Sequence, residues 1–131
     1  MPESDFSHTL PLDKFGEFMM KNLRDRAIDH YDMLSDGMCK SPSLQQIQAE
    51  LNQFNEEQKN LIRTIVFRCV GNGIHDLLFG LQEAYDNDEK IAVIVDGVNV
   101  AEVSDGLQGE LFTEDGWYHR FSKFGMDPEN T

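Results

Sequence analysis

The chain has 131 residues, 40% hydrophobic and 10% aromatic, which suits one folded domain and excludes both a two-domain protein and a disordered segment. Its formal net charge is −13, from 24 acids against 11 bases, which disfavours direct nucleic-acid binding because that affinity rests on cations neutralising phosphates. The apolar runs, such as IAVIV at 91–95, are too short to span a bilayer and the N-terminus lacks the pattern of a secretory signal. With no membrane segment and only Cys39 and Cys69, the expectation is a cytoplasmic protein with reduced thiols.

Residues 1–9 and 126–131 are polar and are expected to be disordered tails of a single domain covering 1–131. From Pro11, apolar residues Leu12, Phe15, Met19, Leu23, Ala27, Tyr31 and Leu34 recur at steps of three and four. That spacing predicts an amphipathic helix starting at Pro11 and stopping at Ser35-Asp36-Gly37. Ser41-Pro42 reads as an N-cap and first helical position, opening a shorter helix with Leu44, Ile47, Leu51 and Phe54 as its buried seam. Asn55-Glu56-Glu57-Gln58 has the form of a capping box with two acids at the positive end of the helix dipole.

The run that follows, Leu61 to Tyr85, organises the chain. Its apolar residues come as doublets four apart: Leu61/Ile62, Ile65/Val66, Cys69/Val70, Gly73/Ile74 and Leu77/Leu78, then Leu81 and Ala84/Tyr85. A helix turns ~100° per residue, so the stripe drifts ~40° with each doublet and ~200° from Leu61 to Leu81. Phe67 and Phe79 add bulk off the stripe, so the helix is apolar over most of its circumference and is expected to be a buried axis. Gly71-Asn72-Gly73 interrupts it, either as a bend in one continuous helix or as a break where Asn72 caps a second one.

After Tyr85 the pattern turns to β. Residues 91–95 and 98–103 flank Asp96-Gly97, a strong two-residue hairpin turn, with Val98, Val100 and Val103 expected on one side. Glu110-Leu111-Phe112 offers a third short strand, and Trp117, Phe121 and Phe124 at helical spacing predict a short last helix, with a strand as the alternative. The fold class is therefore α+β: three to four helices around a long central one, with a small antiparallel hairpin or meander in the C-terminal third. Between Glu83 and Asp115 stand ten acids against one base, Lys90, so this quarter is expected to be the working surface for a basic protein partner.

The phrases Gly73-Ile-His-Asp-Leu-Leu-Phe-Gly-Leu-Gln-Glu83 and Ser104-Asp-Gly-Leu-Gln-Gly-Glu-Leu-Phe-Thr-Glu-Asp-Gly-Trp117 resemble a family of small bacterial α+β proteins, over roughly 44–124. The resemblance implies an immunity protein that neutralises a secreted toxin, and it implies no catalytic residue.

Chemistry-bearing groups are few. His75-Asp76 cannot share a hydrogen bond by helical geometry alone, since adjacent residues point ~100° apart. Asp86-Asn87-Asp88 starts like a calcium loop but has Lys90 and Ile91 where an oxygen ligand and glycine are needed, so no metal and no cofactor are expected. Cys69 falls on the apolar stripe and reads as inert core, whereas Cys39 lies in a loop beside Lys40. Burial is expected for Trp117, leaving Tyr118 and His119 as exposed contacts.

Three functional classes follow. The leading one is a non-enzymatic immunity or antitoxin-type module that plugs a cationic toxin with Asp96, Glu102, Asp105, Glu110, Glu114 and Asp115, aided by Tyr118 and His119. The second is a small enzyme or ligand-binding domain with a polar cleft at Asn72, His75, Asp76 and Asp105. The third is a homodimeric structural protein that buries Phe18 and Met20.

Overall fold

In the computed structural model, which describes residues 3–126, the N-terminal third is a helical rod whose register changes at its middle. Helix α1 (Glu3–Met19) runs into a π-helical segment (Met20–Arg24) and then helix α2 (Asp25–Ser35). The helix thus begins before Pro11 and continues across it, so residues 3–9 are helical where a tail was expected; residues 1–2 and 127–131 lie outside the described residues. A π turn holds one residue more than an α turn, so the inward face restarts one position later. Leu12, Phe15, Met19 and Tyr31 face the core as expected, but between Met19 and Tyr31 the buried positions are Met20, Arg24, Asp25 and Ile28, and Leu23 is exposed. The surface proposed for a homodimer is halved by the same shift: Met20 is 0% exposed and only Phe18, at 66%, remains outside.

Helix α3 (Pro42–Leu51) has Pro42 in its first turn, and Ser41 sits at the cap position without a side-chain bond to the helix. Its inward residues are Leu51 and Gln48, with Ile47 and Phe54 exposed. Gln48 is buried because its amide clamps one peptide: Cys39 N donates to Oε1 at 2.7 Å and Nε2 donates to Cys39 O at 2.8 Å. Helix α4 (Glu56–Asp86) is continuous for 31 residues and is not broken at Gly71–Gly73. Asn55 starts it with a complete capping box, Gln58 N donating to Asn55 Oδ1 at 2.8 Å and Asn55 N donating to Gln58 Oε1 at 2.9 Å.

The hairpin is short. Strand β1 (Ile94–Val95) pairs antiparallel with β2 (Val98–Asn99), in register Ile94 with Asn99 and Val95 with Val98. Asp96 and Gly97 both have positive φ, 51° and 80°, the geometry that an Asp-Gly hairpin turn supplies. So small a sheet is marginal alone. It leans on α1, with Val100 and Ala101 buried behind it and Val103 exposed. The expected third strand is instead a 3-10 segment, Leu107–Leu111, and the last helix, α5, is only Trp117–Phe121.

These pieces bury Leu12, Phe15, Met19, Met20, Ile74, Leu78, Val100, Ala101, Leu107, Leu111, Trp117 and Tyr118 in one cluster. Trp117 meets Phe15 edge-to-face at 5.8 Å, and a β-carbon added at Gly16 would overlap the indole, which is why the helix has glycine there. Met126, assigned to a tail by its sequence, packs against the same core.

Candidate functional site

Helix α4 is not the wrapped axis that its composition predicts. Ile74 and Leu78, the inner members of the doublets Gly73/Ile74 and Leu77/Leu78, are buried, but those of the earlier doublets, Ile62, Val66 and Val70, are only half-buried. The outer members face solvent: Leu61 is 61% exposed, Ile65 and Leu77 are each 50% exposed, and Cys69 and Gly73 are exposed too. Leu61 and Ile65 lie on the side of the helix away from Arg63, which is held by Asp32, whereas at Cys69 and Gly73 the exposed Arg68 and Asp76 share one shallow groove with them. Large apolar side chains left exposed along one helix are the kind of feature that marks an interaction site. The opposite flank is held by α2, where Tyr31 Oη donates to Lys59 O at 2.8 Å and Arg63 makes a two-pronged bond to Asp32 at 2.8 and 3.1 Å. That bond to Asp32 raises the Arg63 pKa against the smaller opposing effect of burial.

The acids divide into two places. Leu107 N donates to Gln82 Oε1 at 3.0 Å, while the Phe112 ring lies 6.4 Å from His75. The segment 107–112 therefore runs antiparallel to α4, back along about 10 Å of it from Gln82 to His75. Glu102, Asp105, Glu114 and Asp115, all exposed, hang from the two ends of this segment, and Glu110 lies within it, accepting from Ser104 Oγ at 2.7 Å. Asp96 stands apart, in the hairpin turn over α1, and is paired with Lys14 at 2.6 Å. Arg120 further tempers the group: its Nε donates to the Asp115 carbonyl at 2.7 Å, and its pKa is raised, chiefly by a hydrogen bond to Asp13. His119 is exposed as expected, but Tyr118 is buried, because α5 is one turn long and its indole and phenol both turn inward.

Phe112 and Tyr118 form one wall of a cleft of about 220 Å3 at the middle of α4. Arg24, Phe67, Arg68, Gly71, Asn72, His75 and Met126 complete its lining. Asn72 and His75 thus do share a cavity, as their sequence positions suggested. Asp76 lies outside it, on a shallow groove with Arg68, Cys69, Asn72 and Gly73, and Asp105 lines neither. His75 Nδ1 and Asp76 Oδ1 approach to 3.3 Å, correcting the expectation that neighbours on a helix cannot meet: the imidazole reaches across the ~100° between their backbone directions. Asp76 is exposed and His75 only half-buried, so the contact is weak.

What the sequence concealed was Arg24, and the only hint was an arginine one step off the apolar stripe. Cys69, expected in the core, is exposed because the outer flank of α4 is uncovered, and Cys39 is buried under Gln48. Among the described residues no group of three or more His, Cys, Asp or Glu side chains stands together in a way that could hold a metal ion, and no helix is long and apolar enough to cross a membrane. Comparison with known protein families, curated proteins and solved structures finds no match to this chain.

Proposed function

We propose that this protein is a non-enzymatic binding module whose docking surface is the uncovered flank of α4, with the acids of residues 102–115 selecting a basic protein partner. The observation that carries the reading is the set of large apolar side chains Leu61, Ile65 and Leu77, left exposed on a helix otherwise anchored in a core. An apolar seam supplies affinity by leaving water, and one-signed charge beside it speeds encounter and rejects acidic partners. The concrete form of this role is an immunity-type protein in the cytoplasm that blocks a cationic toxin by covering and neutralising its site. Glu102, Asp105, Glu110, Glu114 and Asp115 steer, whereas Asp96 is engaged with Lys14 and Tyr118 supports the core.

Affinity capture from the source organism with wild type, Ile65→Asp and a Glu102→Gln/Asp105→Asn/Glu114→Gln/Asp115→Asn variant tests this. A basic protein retained by wild type, lost with Ile65→Asp, and weakened by salt or by the charge variant is the expected result. A partner indifferent to both variants would contradict it.

A further inference from the structure

The outer stripe of α4 has a symmetry that the fold itself does not use. Its members stand at 61, 65, 69, 73, 77 and 81 and read Leu, Ile, Cys, Gly, Leu, Leu. Two large residues, two small and two large are thus mirrored about Gly71. We propose that this flank pairs with a second copy of the chain, the two α4 helices crossing antiparallel about a two-fold axis at Gly71. The proposal rests on the reading of the flank as a docking surface and names what covers it while the basic partner is absent.

Symmetry is the first support. In a two-fold pair one patch serves both copies, so a contact from residue i to residue j is repeated from j to i. Turned end for end about Gly71, Ile65 meets Leu77 of the second copy and Cys69 meets its Gly73. Large residues meet large ones and small meet small on both sides of the axis. Ile65 and Leu77 are half exposed and Leu61 more so, which leaves the surface to be covered on the outside of the single chain.

Helix packing is the second support. Residues four apart form a ridge inclined to the helix axis, and two such ridges interdigitate when helices cross at about −50°. Crossing helices come closest at one point, where small side chains let the backbones approach. Gly73 stands there. A β-carbon added to it would meet nothing in the chain's own fold, although glycine destabilises a helix interior relative to alanine. The single chain gives no reason for that glycine, and a close neighbour does.

Area and charge set the strength. The face from Leu61 to Leu81 is about 30 Å by 12 Å, roughly 400 Å2 of each copy, against ~800 Å2 per partner in a standard stable interface. Each copy carries a net charge of −13, so the copies repel until salt screens them. The pair is therefore weak and reversible, with Kd on the order of 10–100 μM, and it tightens as salt is added. Docking of a basic protein on the same flank responds to salt in the opposite sense.

Sedimentation of the full chain from about 5 μM to about 1 mM, in low and high salt, tests this. The expected result is a monomer–dimer equilibrium whose midpoint falls as salt rises and which Ile65→Asp abolishes. Gly73→Gln, which sets bulk at the crossing point but in open space for the single chain, should weaken pairing about tenfold without lowering the melting temperature of dilute protein. A bis-maleimide with a two-carbon spacer should join Cys69 to Cys69 beside the axis, since Cys39 is buried. In Leu61→Cys/Cys69→Ala the thiols stand ~30 Å apart in the antiparallel pair and should stay unjoined. A monomer at about 1 mM in both salts, a dimer indifferent to Ile65→Asp, or cross-linking at position 61 as readily as at 69 would overturn the proposal. A chain that stays monomeric yet retains a basic protein sinks the pair and leaves the docking reading standing; a dimer that retains no basic protein does the reverse.

Discussion

The two halves of α4 carry the same apolar doublets and meet different surroundings. From Gly73 onward the inner members, Ile74 and Leu78, join Leu107, Leu111 and Trp117 in the core. Before it, Leu61, Ile65 and Cys69 face solvent, and Ile62 and Val66 are only half-covered. The returning segment 107–112 follows the helix only from Gln82 to His75, while the stripe winds ~200° over its full length. An apolar circumference says that a helix must be covered; it does not say that its own chain does the covering.

The largest predicted effect is in the covered half. Leu78→Ala should cost about 2–5 kcal/mol in urea unfolding, since it opens a cavity in the core. A cost no greater than that of a surface change would erase the distinction between the halves. In the open half, Ile65→Ser should leave the isolated chain within about 0.5 kcal/mol of wild type, yet weaken partner binding by about 2 kcal/mol, as for a central interface residue. Equal effects on stability and binding would mean that Ile65 is core.

Asn55→Ala, which removes the Oδ1 that accepts from Gln58 N where α4 has least cover, should cost about 1 kcal/mol, with amide exchange rising first at 56–60. The smallest effect concerns pH. Asp29 raises the Lys123 pKa above 10.5, mainly through their hydrogen bond, so the stabilisation is complete below 10.5 and is lost only as pH rises through the raised value. The difference in melting temperature between wild type and Lys123→Met should therefore stay constant from about pH 6 to 9 and close only in stronger alkali. A gap that closes by neutral pH would assign the effect to another group.

Local signals were legible where they were backbone chemistry. The Asn55 capping box and the Asp96-Gly97 turn follow from residues acting on their nearest neighbours, whereas Gly71-Asn72-Gly73 left a bend and a break both open and α4 runs through it unbroken. Facing was less legible. The stripe from Leu12 to Leu34 has one uniform period in the sequence, and nothing in it announces the extra residue that moves Leu23 out and Arg24 in. The expected strand at 110–112 has apolar residues that a 3-10 segment buries equally well, with Leu107 and Leu111 both inside. Of the candidate site, Asn72 and His75 were found together, whereas Arg24, Arg68 and Phe112 reach the same cleft from elements far apart in sequence. Tyr118 was misplaced because a one-turn helix can turn two adjacent aromatics inward.

Cys69 lies on the open flank and Cys39 is buried, so thiol labelling reads the central claim directly. In purified dilute protein Cys69 should react rapidly and Cys39 slowly; in source cells Cys69 should be protected, and Ile65→Asp should restore its reactivity. A Cys69 as unreactive as Cys39 in the isolated chain, or equally reactive inside and outside the cell, would contradict a flank left open for a partner.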